Sequence, residues 1–310
     1  MVLAAGVAQA DVSFSGTAGV ALIDDNGARD AATAADSAVT NTSYGTDMYF
    51  ESYYDFDITA SAESDNGVSV SVGFDMGAGN KIDYNDDDKL EAQGNTVGDA
   101  DVAVGYAGWT LAVDNNGIAD LYDGDIENAD ASLSGTIAGW AVAMTTDQDA
   151  SKSSYSVSGA VAGVTLTATG SNDDSVHASG TGSASKLAAS YAMGDLTLSA
   201  SVANEAGNAE DDSTLGLKYA MGDITINYTT IKPGGTSGKY GDEWDFSAAY
   251  AAGAVSASFA IDEADATTII VDYDLGGGVT AFAAMHDKPA PTGGADTDND
   301  LTAIGLNFAF

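Results

Sequence analysis

The chain contains no cysteine, so it has neither a disulfide framework nor a thiolate metal site. Histidine is almost as scarce. His177 and His286 stand far apart, in predicted loops or strand ends, which leaves no His-based zinc centre and no natural general base. Proline occurs three times, as Pro233, Pro289 and Pro291, always in polar loop segments. Every candidate strand is therefore proline-free, as a hydrogen-bonded ladder requires. Bases are rare: 9 Lys and Arg stand against 47 Asp and Glu, a net charge of −38. Such a surface repels nucleic acid and anionic headgroups, and cations are its natural partners. Finally, although 45% of the residues are apolar, no run approaches the ~18–20 apolar residues of a membrane helix.

What the chain does contain is alternation. Val12, Phe14, Gly16, Ala18, Val20 and Leu22 interleave with small or polar residues. Val68, Val70, Val72, Phe74 and Met76 do the same, as do Leu215, Leu217 and Tyr219, and at the end Ile304, Leu306, Phe308 and Phe310. A period of two predicts strands with one apolar and one polar face. No stretch carries a helical period. The tight-turn sequences recur as well: Tyr106-Ala107-Gly108-Trp109, Ala138-Gly139-Trp140, Ala162-Gly163, Tyr191-Ala192-Met193-Gly194, Tyr219-Ala220-Met221-Gly222, Tyr250-Ala251-Ala252-Gly253 and Tyr273-Asp274-Leu275-Gly276. Short turns alternate with longer acidic loops, so all short turns gather at one end of the sheet.

Parity decides the environment. The stretch DMYFESYYDFDI begins at Asp47 and places Met48, Phe50, Tyr54, Phe56 and Ile58 on one face. Asp47, Glu51, Asp55 and Asp57 fall on the other, with Tyr49 and Tyr53. The same division holds in later strands, where Asp75, Asp101, Lys186, Lys218, Glu243, Asp245 and Asp272 all avoid the apolar face. A soluble sandwich also has one apolar face per sheet. It has no need for aromatic residues at the strand ends, yet Tyr106, Trp109, Trp140, Tyr191, Tyr219, Tyr250 and Tyr273 flank the short turns on the apolar face. That is the pattern of an interfacial aromatic girdle. The expected fold is an all-β transmembrane antiparallel barrel, closed so that no backbone group is left unpaired in lipid. Eighteen segments can be counted, the one near 278–286 having ambiguous parity. Sixteen or eighteen strands leave an aqueous channel, and these charges would line it.

At the N-terminus, Val2–Val7 are small and apolar and Ala8-Gln9-Ala10 fits an A-x-A cleavage site. Residues 1–10 are read as the remnant of a secretory signal peptide and residues 11–310 as one barrel domain. The alternative is a small apolar N-terminal strand.

These residues resemble the general porins of alphaproteobacteria, the Rhodobacter-type family. The features that carry the resemblance are ADVSFSG at 10–16, LYDGD at 121–125, YDLGGG at 273–278 and the closing LNFAF at 306–310. The resemblance implies a homotrimer in the bacterial outer membrane, passing ions and small hydrophilic solutes by diffusion, with sixteen strands. It also implies that the loop after the fifth strand, here 114–130, folds inward and narrows the pore. Its acids in this chain are Asp114, Asp120, Asp123, Asp125 and Glu127; the plain alternative is a solvated acidic turn. One feature departs from the family, which often sets a basic cluster opposite that loop. Arg29, Lys81, Lys89, Lys152, Lys232, Lys239 and Lys288 fall in or beside long loops, and only Lys186 and Lys218 project into the lumen. What remains is a mostly negative pore, suited to cations.

No cofactor motif is present. Gly276-Gly277-Gly278 is followed by no helix and no Lys-Ser/Thr pair, so it reads as a turn and not a phosphate loop. The acidic loops could hold calcium, through Asp86 and Asp88 or Asp296, Asp298 and Asp300. The alternative there is a solvated rim. No carboxylate pair stands out as catalytic, so the chain is not read as an enzyme. Two other functions stay open, a solute-specific channel and a secreted acidic β-structured adhesin or coat protein.

Overall fold

The computed structural model describes residues 9–24, 48–83, 89–92, 101–122, 124, 127–148, 151–172, 182–204, 211–233, 243–287 and 301–310. Its strands are β1 (Gln9–Asp24), β2 (Tyr49–Glu63), β3 (Ser69–Asp83), β4 (Lys89–Ala92), β5 (Asp101–Tyr106), β6 (Trp109–Ala119), β7 (Glu127–Ile137), β8 (Trp140–Thr146) and β9 (Ser153–Val161). They continue as β10 (Val164–Ser171), β11 (Ala184–Met193), β12 (Leu196–Asn204), β13 (Asp212–Met221), β14 (Ile224–Lys232), β15 (Glu243–Ala252), β16 (Val255–Asp262), β17 (Thr267–Gly276), β18 (Val279–Asp287) and β19 (Leu301–Ala309). Each barrel strand pairs antiparallel with its neighbour in sequence, and β19 returns to pair with β1, Phe308 opposite Ala18. The ring is closed. The short β4 pairs only with the outer part of β3, while β5 takes the place beside β3 in the wall. The barrel thus has eighteen strands, as the segments counted in the sequence predict, and not the sixteen that the family resemblance implies.

The turns follow from their residues. Ala107 and Gly108 have φ of 51° and 82°, and the pairs Ala138-Gly139 and Ala162-Gly163 match them. Two successive positive φ values define a type I′ hairpin, whose twist suits the flanking strands. At the later turns a single glycine, Gly194, Gly222 or Gly253, takes φ near 60°, as the first central position of a type II′ turn requires.

The outward face is apolar and bare. Phe14 is 62% exposed, Leu187 62%, Leu215 60% and Ile304 60%. Side chains of this kind in such number are stable only against lipid or another apolar surface. The ambiguous strand β18 resolves through its register. Ala281 opposes Tyr273 and Leu306, so it faces outward, and Phe282 and Ala284 face inward.

The girdle residues lie on the outward face at the short-turn end. Tyr106, Tyr191, Tyr219, Tyr250 and Tyr273 are exposed there. Trp109 and Trp140 are half-buried because each indole lies flat over a glycine of the next strand. A Cβ at Gly135 would meet the Trp109 ring at 2.6 Å, and one at Gly159 would meet the Trp140 ring at 2.5 Å. Aromatic side chains that cover glycines in this way pin strand register. Gly159→Val is therefore expected to expel the Trp140 ring at a cost of about 1–3 kcal/mol. In SDS gels of samples heated to graded temperatures, the variant should unfold at a lower temperature than the parent chain. An unchanged unfolding temperature would mean that the ring contributes nothing there.

Candidate functional site: the barrel lumen

The inward face carries the charges. On β2, Glu51, Asp55 and Asp57 point into the lumen, and Asp57 lies directly opposite Asp75 of β3. The Asn80 amide donates to Glu51 Oε2 at 3.2 Å, and the Ser15 hydroxyl to Asp57 Oδ2 at 3.4 Å. Asp101 and Asp114 extend the set onto β5 and β6, one residue beyond the Val102–Val113 pair. Four neighbouring wall strands thus present one continuous acidic band. A second acidic group, Glu243, Asp245, Asp262 and Asp272, occupies the lumen face of β15–β17. Asp47 lies outside the described residues.

Between the two acidic groups the wall is mostly hydroxyl. The lumen face of β9 offers Ser154, Ser156 and Ser158, that of β10 Thr165, Thr167, Thr169 and Ser171, and that of β12 Thr197, Ser199 and Ser201. Into this neutral sector project Lys186, beside Thr169, and Lys218, beside Thr197. Counting around a closed ring of eighteen, β13 stands half a turn from β3. Lys218 therefore faces the acidic band across the pore.

The connection after the fifth barrel strand turns inward and is anchored to the lumen wall. The pairing of β6 with β7 jumps from Val113–Ala131 to Ile118–Ala129, so residues 114–117 bulge out of the ladder. Asn116 takes φ of 57°, and its N–H donates to Asp130 Oδ1 at 2.9 Å. A bulge bends the strand that carries it, and this one aims the end of β6 at the interior. There Asp120 is 5% exposed and accepts from the Ser171 hydroxyl at 2.7 Å. The Leu121 N–H donates to Ser154 Oγ at 2.8 Å, and the Tyr122 N–H to Asp120 Oδ1 at 2.6 Å. Thr145 and Ser154 share a further hydrogen bond. Thr145, Ser154 and Ser171 all belong to the lumen face of β8–β10. The start of the loop is thereby fastened to the wall several strands away from β6.

This geometry refines the expected boundaries. β6 continues to Ala119 and β7 begins at Glu127, so the connection is shorter than 114–130. Asp114 sits in the strand bulge and not in the loop, because Ile118 and Ala119 re-pair with β7 after it. Asp123 and Asp125 lie outside the described residues, as do Asp86, Asp88, Asp296, Asp298 and Asp300. Glu127 begins β7. Among the described residues no group of three acids or histidines converges as a metal ion would need.

Two features escape a parity reading. The anchoring hydroxyls of Thr145, Ser154 and Ser171 look like any other lumen Ser or Thr in sequence. The lumen face is also not uniformly polar. Ile23, Tyr49, Ile270, Phe282, Ala284, Leu301 and Ala303 face inward and form a buried apolar cluster on β17–β19, β1 and β2. His286 is buried beside it, its Nδ1 2.8 Å from Thr268 Oγ1. The available signal was the apolar residues on the polar parity at Ile23 and Phe282, which the dominant alternation overshadowed.

A closed eighteen-stranded barrel with an apolar outer band, a charged lumen and an inward loop defines a transmembrane channel of the outer-membrane type. The sequence matches the family of Gram-negative porins over residues 1–308, and the chain belongs to that family. The structure is similar to solved variants of Rhodopseudomonas blastica porin. A triple mutant superposes with a TM-score of 0.57 at 17% identity, covering 97% of this chain and 100% of that one. Another variant gives 0.57 at 16% identity with the same coverage. At such identity the likeness speaks for the fold alone. No curated protein sequence matches the chain. The protein is an outer-membrane porin, a channel and not an enzyme.

Proposed function

We propose that this porin passes ions and small hydrophilic solutes by passive diffusion with a preference for cations, and that it works as a homotrimer. The observation that carries the cation preference is the charge inventory of the lumen face. Among the described residues Glu51, Asp55, Asp57, Asp75, Asp101 and Asp114 form one acidic sector and Glu243, Asp245, Asp262 and Asp272 another, against Lys186, Lys218 and, within electrostatic reach of Asp55, Lys81. Rings or bands of carboxylates concentrate cations and exclude anions within a low-dielectric wall. The trimer rests on the family resemblance. A solute-specific channel would need extra aromatic or polar residues along one lumen path, and block of the conductance by a solute would separate it from a general channel.

The test is a reversal potential across a potassium chloride gradient in planar bilayers. The zero-current potential is expected to carry the sign of cation selectivity, with conductance steps grouped in threes. An anion-selective or non-conducting preparation would overturn the reading, and steps that occur only singly would overturn the trimer.

A further inference from the structure

Two aromatic residues of β2, Tyr49 and Tyr53, face the lumen. Tyr49 is buried in the apolar cluster, whereas Tyr53 is half-buried. Tyr53 is paired with Gly19 of β1 on one side and Gly79 of β3 on the other. Neither neighbour carries a side chain, and the phenol ring tips over β1, where a Cβ at Gly19 would collide with it. Its hydroxyl reaches β19 and donates to Asn307 Oδ1 at 3.4 Å. The ring therefore lies along the wall, held at its tip, with one face against the sheet and the other toward the pore.

Carboxylates stand around that open face. Glu51 and Asp55 occupy the lumen positions before and after Tyr53 on β2, each about 7 Å away along the strand. Thr17 and Gly77, the cross-strand partners of Asp55, are too small to cover it. Asp57 and Asp75 act on Asp55 electrostatically, and so does Lys81. Among the described residues the charge around the ring is thus Glu51, Asp55, Asp57 and Asp75 against Lys81, a negative balance. These groups lie within or near the about 8 Å over which charges act at physiological salt.

A small inorganic cation keeps its water and is served by the carboxylates alone. A quaternary ammonium is weakly hydrated. Its methyl groups can lie against an aromatic face while its charge stays beside a carboxylate. We propose that Tyr53, between Glu51 and Asp55, is a binding subsite for quaternary ammonium solutes inside the pore. The subsite rests on the reading of the lumen as cation-preferring and adds a solute class to it. The ring accounts for the methyl groups and the flanking acids for the charge.

The test uses the full chain in planar bilayers, with choline and its uncharged isostere 3,3-dimethylbutan-1-ol each added at fixed potassium chloride. Choline is expected to lower the single-channel current, although it adds carriers, and the alcohol to leave it unchanged. Tyr53→Leu should raise the half-blocking concentration of choline roughly three- to fivefold, the worth of one cation–ring contact at an exposed site. Tyr53→Phe keeps the ring and should be blocked like the parent. Asp55→Asn should weaken the block as well. Equal effects of choline and the alcohol on the parent chain would overturn the proposal, as would a choline block that survives Tyr53→Leu. The zero-current potential of the parent reads the cation preference separately. A cation-selective pore that choline does not block sinks the subsite and leaves that preference standing.

Discussion

Asp120→Ala is expected to give a channel that conducts more current and fluctuates more than the parent. Asp120 is buried against the lumen wall, where it accepts the Ser171 hydroxyl and the N–H of Tyr122. Removing the carboxylate strands the Ser171 donor and frees the turn at Leu121. Losing a hydrogen bond to a charged group costs about 1.5–3 kcal/mol, which shifts the ratio of docked to undocked loop roughly 10- to 100-fold. The barrel ladder is untouched, so the unfolding temperature in SDS should stay close to that of the parent. Single-channel records in planar bilayers are the measurement, with larger open steps and added noise as the expected result. Ser171→Ala should show a weaker form of the same change. The double variant should go little further than Asp120→Ala, because the two residues act as one unit. If Asp120→Ala conducts like the parent, the loop is held by something other than this anchor.

Glu51→Gln together with Asp55→Asn is expected to weaken the cation preference several-fold. Both side chains lie on the lumen face of β2, in the acidic band opposite Lys218. A unit charge at about 4 Å is worth about 1 kcal/mol even in bulk water, so each neutralised acid removes roughly a fivefold local bias toward cations. Asp57 and Asp75 remain and keep part of the selectivity. The zero-current potential should move toward zero while the single-channel conductance changes little, since the wall keeps its shape. Lys218→Gln on the opposite wall should move the potential the other way. A selectivity left intact by the double change would mean that ions do not follow the β2 wall.

Much of the fold was legible because a barrel wall is one strand thick. A period of two then has a single meaning, and Phe14, Leu187 and Ile304 on one face with Glu51, Asp55 and Asp75 on the other assign lipid and water without further help. The turns were legible for a local reason: Ala107-Gly108 and Gly194 sit where the chain needs positive φ. Even the strand count followed from the segments, and the short β4 was missed because it pairs only outside the wall. The loop bounds were less legible. Alternation does not announce a bulge, so residues 114–117 read as the start of a loop when β6 in fact resumes after them.

The lumen itself depended on closure. Nothing local links Asp120 to Ser171, fifty-one positions away, or places Lys218 half a ring from Asp75. Those relations exist only because β19 returns to β1. The buried cluster of Ile23, Phe282 and Leu301 arises in the same way, from strands at the two ends of the chain brought side by side. Sequence by itself determined which side of the wall most strand residues face, since side-chain direction is a property of the strand; β18 was settled only by its register. The tertiary structure alone decided which residues meet across the pore and where the loop is fastened, because both require the sheet to close on itself.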